Sequence, residues 1–215
     1  MNTEQARNNM LSQQLRTWDV LDQRVLDHIA QTPREEFVPS AYKNLAFADI
    51  NIPIGHDEIM WTPKEEGRVL QALKIKPTDK ILEIGTGSAY LTALLSQLGT
   101  HVDSIEIFPE FTQEAQNKLS RFNINNVKLL TADAVQGWQN YYDVIVISGS
   151  LPFLPASFRK SLNPNGRLFA IIGQAPAMEA TLITHLPPDI WREEKLFETV
   201  IPVLRNAQQP ELFIF

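Results

Sequence analysis

The chain has 215 residues, 44% of them hydrophobic, and a formal net charge of −6, which suits one sizeable α/β domain. It contains no cysteine, which excludes a disulfide framework, a thiolate nucleophile and cysteine metal ligands. No stretch approaches the ~18 consecutive apolar residues of a membrane helix, and the scattered Lys and Arg of an acidic chain argue against a nucleic-acid surface.

In chain order, the polar segment Met1–Gln14 has no signal-peptide core, so a cytoplasmic location is expected. Residues 4–31 read as helical. Met10, Leu11, Leu15 and Trp18 fall at helical spacing, and Val25, Leu26 and Ile29 resume it after a break at 19–22. Trp18 reads as a packing residue. Prolines 33 and 39 bracket a connector; 41–47 reads as a short helix and 50–55 as an extended segment ending in glycine. Thr62, Pro63 and Glu65 spell an N-cap, an N1 proline and a capping box. The helix they start runs to about Lys74 with Val69, Leu70 and Leu73 on one face.

From Lys80 strands and helices alternate: strand 80–84, helix 88–98 stopped by Gly99, strand 102–107, helix 109–122, strand 127–131, strand 142–148, helix 155–162, strand 166–173. This is the βαβ rhythm of a doubly wound, mostly parallel α/β sheet. Asp143 to Ile147 is almost wholly apolar, as in a strand covered on both faces. After Gly173 the rhythm changes: 179–184 and 191–202 read as further strands, and the apolar tail 212–215 is strand-like. The expected organisation is a single domain: an N-terminal helical extension and loop over 1–62, a βαβ core over 63–173 and C-terminal strands over 174–215.

The most informative segment is Ile81-Leu82-Glu83-Ile84-Gly85-Thr86-Gly87-Ser88-Ala89-Tyr90. An apolar strand leads into a Gly-x-Gly turn that opens a helix. Glycine tolerates positive φ and close backbone approach, and the helix start offers unpaired N–H groups. A dinucleotide site would want a third glycine where Tyr90 stands. Glu83 would repel a pyrophosphate. It suits instead a cationic nucleoside ligand, and S-adenosylmethionine, with its sulfonium and ammonium, is one. Glu-x-Gly-x-Gly resembles motif I of class I methyltransferases. Glu106 ends the second strand 19 residues past Gly87 (106 − 87), a spacing that suits an acid on ribose hydroxyls. Asp133 follows the third strand, where the methyltransferase pattern places a contact to the adenine amino group. With their neighbours, the candidate cofactor positions are Glu83, Gly85, Thr86, Gly87, Ser88, Glu106, Ile107, Asp133 and Ala134. The plain alternative makes Glu106 and Asp133 turn and cap residues.

Beyond motif I, the chain resembles the protein-L-isoaspartate O-methyltransferases over nearly its whole length. The resemblance rests on Pro33-Arg34-Glu35-Glu36-Phe37-Val38, Ile52-Pro53-Ile54-Gly55, the segment from Leu82 to Tyr90, Tyr142 to Val146 leading to Pro152 and Pro155, Leu162 to Gly166, and Val200-Ile201-Pro202-Val203. It implies a seven-stranded, Rossmann-like methyltransferase sheet with an N-terminal helical addition. It further implies a repair enzyme that methylates isoaspartyl carboxylates in damaged proteins, with S-adenosylmethionine as donor and S-adenosylhomocysteine as product.

One segment departs from the family's pattern. After Pro-Ile-Gly the family carries a neutral polar loop with a Thr-x-Ser pair. Aligned on Gly55 and Pro63, this chain has His56-Asp57-Glu58-Ile59-Met60-Trp61-Thr62, with Ile59 and Trp61 at the two hydroxyl positions. Hydrogen bonds to a charged group contribute roughly 1.5–3 kcal/mol each, so losing both hydroxyls works against a carboxylate acceptor. Asp57 and Glu58 add like charge if they face the pocket. His56, Ile59, Trp61 and Thr62 are the substrate-loop candidates, none of them an assigned catalytic residue. Three readings follow: isoaspartyl methylation, methylation of another acceptor, or cofactor binding without transfer. A carboxylate with a pKa near ~4 is ionised at neutral pH and needs no general base; an amine or hydroxyl acceptor would want one, and His56 is the loop residue suited to that. The four histidines show no metal-ligand spacing, so no metal is expected, and neither nucleic acid nor membrane is expected as a partner.

Overall fold

In the computed structural model, residues 3–135 and 137–210 are described; the strand expected over 212–215 lies outside them. Two α-helices, α1 (Thr3–Asn9) and α2 (Gln23–Gln31), flank a π-helical turn Met10–Leu15 and a 3₁₀ turn Arg16–Trp18. Asp22 caps α2 through the N–H groups of Arg24 and Val25, and Asp19 sits at φ 60°, which is the break read between the two helical stretches. Trp18 does not pack as expected: it is 47% exposed, and the Lys64 ammonium lies 4.4 Å from its ring centroid. The expected helix 41–47 is a 3₁₀ segment, Ser40–Leu45.

A hairpin of β1 (Ile52–Gly55) and β2 (Glu58–Met60) follows. His56 and Asp57 form its turn with φ of 53° and 61°, the paired left-handed geometry that matches strand twist in tight hairpins. α3 (Pro63–Leu73) starts at the expected capping box, complete in both directions between Thr62 and Glu65. The remaining elements are β3 (Lys80–Ile84), α4 (Tyr90–Leu98), β4 (His101–Glu106), α5 (Pro109–Arg121), β5 (Val127–Thr131), β6 (Tyr142–Leu151), α6 (Ala156–Lys160), β7 (Leu162–Gln174), β8 (Ala177–Leu186) and β9 (Ile190–Glu198).

The expected seven-stranded sheet forms in the order β5-β4-β3-β6-β7-β8-β9. The first five strands are parallel; β8 and β9 return antiparallel. One face carries α2, α3, α4 and α5, whose apolar residues join Ile81, Val102, Val144, Val146, Phe169 and Ile171 in one core. The other face is covered more thinly. Phe158 of α6 and the loop residues Ala134 and Val135 pack on Leu82, Ile105, Ile145 and Leu168. The helix expected over 155–162 is thus a five-residue element.

Arg34 ties the N-terminal extension to the sheet. It is buried; its Nε donates to the carbonyl of Ala46 at 2.7 Å, and its two Nη groups reach the Glu66 carboxylate and the Trp61 carbonyl. The guanidinium lies 4.8 Å from the Tyr90 ring centroid. A buried ion is tolerable when its donors are taken up in this way. The loop before α3 is thereby fixed against the helix that follows the Gly-x-Gly turn.

Candidate functional site

The order of strand addition reverses between β3 and β6: β4 and β5 are added on one side of β3, and β6 and β7 on the other. Crevices at the carboxyl ends of strands at such a switch point are the usual ligand sites of α/β sheets. A cleft lies there, with about 540 Å³ of empty space, its open mouth included, within the range of small-molecule sites. Gly85, Gly87, Glu106, Ser148 and Gly149 form its floor. Ile54, Glu58, Ile59 and Trp61 come from the hairpin side, Ile107, Phe108 and Phe111 from the start of α5, and Ile201, Pro202, Leu204 and Arg205 from the C-terminal segment. A second lobe continues past Thr86, Ser88, Leu91 and Glu66.

The Gly-x-Gly turn needs both glycines. Gly85 has φ +93°, and a Cβ there would meet the Ser148 Oγ at 2.2 Å. That hydroxyl already donates to the carbonyls of Ile84 and Gly85. Gly87 has φ +50° and lies under Ile54. Its N–H donates to Glu106 Oε2 at 2.9 Å, while Glu106 Oε1 accepts from the N–H groups of Ile107 and Phe108 at 2.9 and 3.0 Å. A turn N–H that a phosphate would need is therefore held by a carboxylate. The donor and acceptor set suits a nucleoside with hydroxyls and a positive charge, and opposes a pyrophosphate.

Glu83 stands behind the turn and outside the cleft lining. It is fully buried, and its Oε2 accepts from Thr92 and Ser104 hydroxyls, each at 2.6 Å; Ser104 is joined in turn by Thr86 at 2.6 Å. Oε1 has no partner among the described residues. Burial pushes the carboxyl up to about 8, against the two hydroxyl hydrogen bonds. Asp133 also lies outside the lining, exposed at the end of β5, where it accepts from the Val135 N–H and the Asn206 side chain. Ala134 is buried in the core of the thinner face.

The loop candidates separate into two groups. Ile59 and Trp61 line the cleft; Trp61 is 5% exposed and meets Phe169 edge-on at 5.8 Å. Thr62 is the buried cap of α3, donating to Glu65 at 2.9 Å. His56 sits on the hairpin tip, stacked on Phe108 at 4.1 Å and outside the lining. Glu58 does line the cleft, and burial raises its carboxyl in spite of Arg205. Among the described residues no group of three or more His, Cys, Asp or Glu could hold a metal ion.

A family model described as protein-L-isoaspartate(D-aspartate) O-methyltransferase matches residues 5–201. The chain belongs to this family. A protein-L-isoaspartate O-methyltransferase of Gloeobacter violaceus is 34% identical over 203 residues, which cover 93% of this chain and 99% of that one. One of Protochlamydia amoebophila is 36% identical over 173 residues, 80% and 81% of the two chains. A Plasmodium falciparum structure described as a protein-L-isoaspartate O-methyltransferase in complex with S-adenosyl-L-homocysteine superposes with TM-score 0.80 at 19% identity, covering 96% of this chain and all of that one. A further structure of that description gives TM-score 0.77 at 22% identity and covers 92% of this chain, which spans 65% of its length. At these identities the structural likeness concerns the fold.

Within this protein-L-isoaspartate O-methyltransferase-family chain, the sequence motif found the turn and Glu106 but missed one wall of the cleft. β6 runs past the expected 148 to Leu151, and its end binds the C-terminal segment. The Ser150 N–H donates to the Pro202 carbonyl, and the Leu204 N–H donates to Ser150, both at 2.9 Å. Ser150 and Val203 thus bridge in parallel. Leu204 lies over Gly149, where a Cβ would meet its Cδ2 at 2.6 Å. The motif Val200 to Val203 was the available signal; it marked the segment but not its position.

Proposed function

We propose that the protein transfers the methyl group of S-adenosylmethionine to the free α-carboxylate of an isoaspartyl residue in a protein or peptide. The observation that carries the reading is the Glu106 carboxylate locked onto the Gly87 N–H, at the switch point of a chain that belongs to the isoaspartyl methyltransferase family. When bound, the sulfonium supplies a methyl group open to in-line displacement. Gly85, Thr86, Gly87 and Ser88 give the backbone wall that receives the nucleoside and amino-acid portion, and Glu106 accepts from ribose hydroxyls. Ile107, Phe108 and Phe111 offer an apolar wall for the base, while Asp133 and Ala134 lie outside the lining and would reach it only if the Asp133 side chain turned toward the cleft. Glu83 supports the turn from behind, through Ser104 and Thr86. The acceptor is already ionised near neutral pH, so the site needs positioning and not a general base. That agrees with a cleft in which Glu106 is engaged by three N–H groups and His56 stands aside.

A second reading is favoured by Ile59 and Trp61, which give the hairpin side of the cleft an apolar surface where the family carries hydroxyls. It makes the acceptor a flatter or more apolar group. Purified protein given methyl-labelled S-adenosylmethionine should label an isoaspartyl peptide and leave the matching aspartyl peptide unlabelled; cofactor binding without labelling would favour the second reading. A cytoplasmic setting accompanies the proposal, supported by the cysteine-free, acidic chain. No helix among the described residues is long and apolar enough to cross a membrane.

A further inference from the structure

Arg205 is the one cationic side chain lining the cleft among the described residues. It bridges the mouth, from the C-terminal segment to the hairpin. Its Nε donates to Glu58 Oε1 at 3.0 Å, its Nη2 donates to the His56 carbonyl and lies 3.9 Å from Asp57, and its guanidinium carbon is 5.8 Å from the Phe108 ring centroid. Nη1 has no hydrogen bond among the described residues.

We propose that Arg205 is the anchor for the acceptor carboxylate, and that Glu58 holds it across the mouth of the cleft until the acceptor displaces it. The assignment rests on the reading of the acceptor as an isoaspartyl carboxylate. Three observations carry it. The hydroxyls that could meet an acceptor on this side are absent or occupied: Ile59 and Trp61 replace hydroxyls and leave a neutral indole N–H, Thr62 donates to Glu65, and the Ser148 hydroxyl serves two backbone carbonyls. Without Arg205, the acidic side chains at and beside the mouth would include Asp57, Glu58 and Glu106, and like charges oppose the entry of an anionic substrate. Lastly, Glu58 is itself a carboxylate seated on Arg205, so the structure already shows the contact an acceptor would make. Guanidinium is the side chain whose fork matches a carboxylate.

The test is the steady-state methylation of an isoaspartyl peptide by wild type, Arg205→Gln, Arg205→Lys and Glu58→Gln, with S-adenosylhomocysteine affinity measured by calorimetry on each. Arg205→Gln should raise the peptide KM by about tenfold or more, the loss of a charge-assisted contact, while the calorimetric Kd moves by less than about twofold. Arg205→Lys should fall between the two. Glu58→Gln should hold or lower the KM, because it frees the anchor. A merely structural strap would make Arg205→Gln and Glu58→Gln behave alike, since each removes the same ion pair. Equal rises in KM, or a wild-type KM in Arg205→Gln, would overturn the assignment while leaving the acceptor reading intact. A wild-type protein that methylates no isoaspartyl peptide would overturn both.

Discussion

Glu106 receives three backbone N–H groups and lines the cleft, so cofactor affinity should turn on it. Glu106→Gln should weaken S-adenosylhomocysteine binding roughly tenfold or more, the scale of a lost charged hydrogen bond, as read by calorimetry; an unchanged Kd would remove it from the site. At the acceptor side, Ile59→Thr combined with Trp61→Ser restores the family's hydroxyl pair and should raise kcat/KM on an isoaspartyl peptide. A fall would mean that the apolar wall serves the acceptor. Glu83 gives a pH dependence. Its carboxyl titrates near about 8 in the folded chain and near the ordinary ~4 when unfolded, so the folded state binds the extra proton between those values. Stability from this group is therefore present at low pH and lost as pH rises toward 8. Denaturant melts across pH 5–8 should show the decline, and Glu83→Gln should make it shallower, the remainder belonging to Glu66, whose carboxyl burial also pushes up to about 8; parallel profiles in both proteins would refute the role of Glu83. These residues were legible in the sequence because a strand, a tight turn and a strand-end acid are local patterns. What Glu83 faces was not legible, because its partners Thr92 and Ser104 lie 9 and 21 residues away on a helix and a neighbouring strand.

The helix α3 fixes the end of the substrate loop. Thr62 accepts from the Glu65 N–H at 3.3 Å, and Glu65 accepts from the Thr62 N–H at 2.8 Å. Glu65 also takes a 2.6 Å hydrogen bond from Thr199, next to the C-terminal segment. Thr62→Ala should cost about 1 kcal/mol of stability, measured by chemical unfolding, with the cofactor Kd held. A selective loss of peptide methylation at unchanged stability would instead make Thr62 a substrate contact. The sequence announced this cap because its signal spans four consecutive residues. It announced α6 less well: residues 155–162 carry helical spacing, but the chain enters β7 already at Leu162, opposite Tyr142.

The molecule is a mostly parallel sheet, with two antiparallel strands at one edge, thickly covered on one face by helices and closed at the carboxyl ends of its parallel strands by a hairpin on one side and the C-terminal segment on the other. The strand alternation from Lys80 to Gly173 made the sheet readable, since each βαβ unit is local and its handedness is fixed. The closure was not readable. Ser150 meets Ile201 and Pro202 across 51 and 52 residues, and Arg205 meets Glu58 across 147; no periodicity encodes such pairings. Those contacts place Leu204 and Arg205 over a floor that the motif had already marked, and so set the two halves of the cleft against each other. The cleft is proposed to bind S-adenosylmethionine and to deliver its methyl group to an isoaspartyl carboxylate. The measurement is transfer of labelled methyl to an isoaspartyl peptide, with its aspartyl twin as control and cofactor binding recorded in the same preparation. Label is expected on the isoaspartyl peptide alone; saturable cofactor binding with no label on that peptide would contradict the proposed activity.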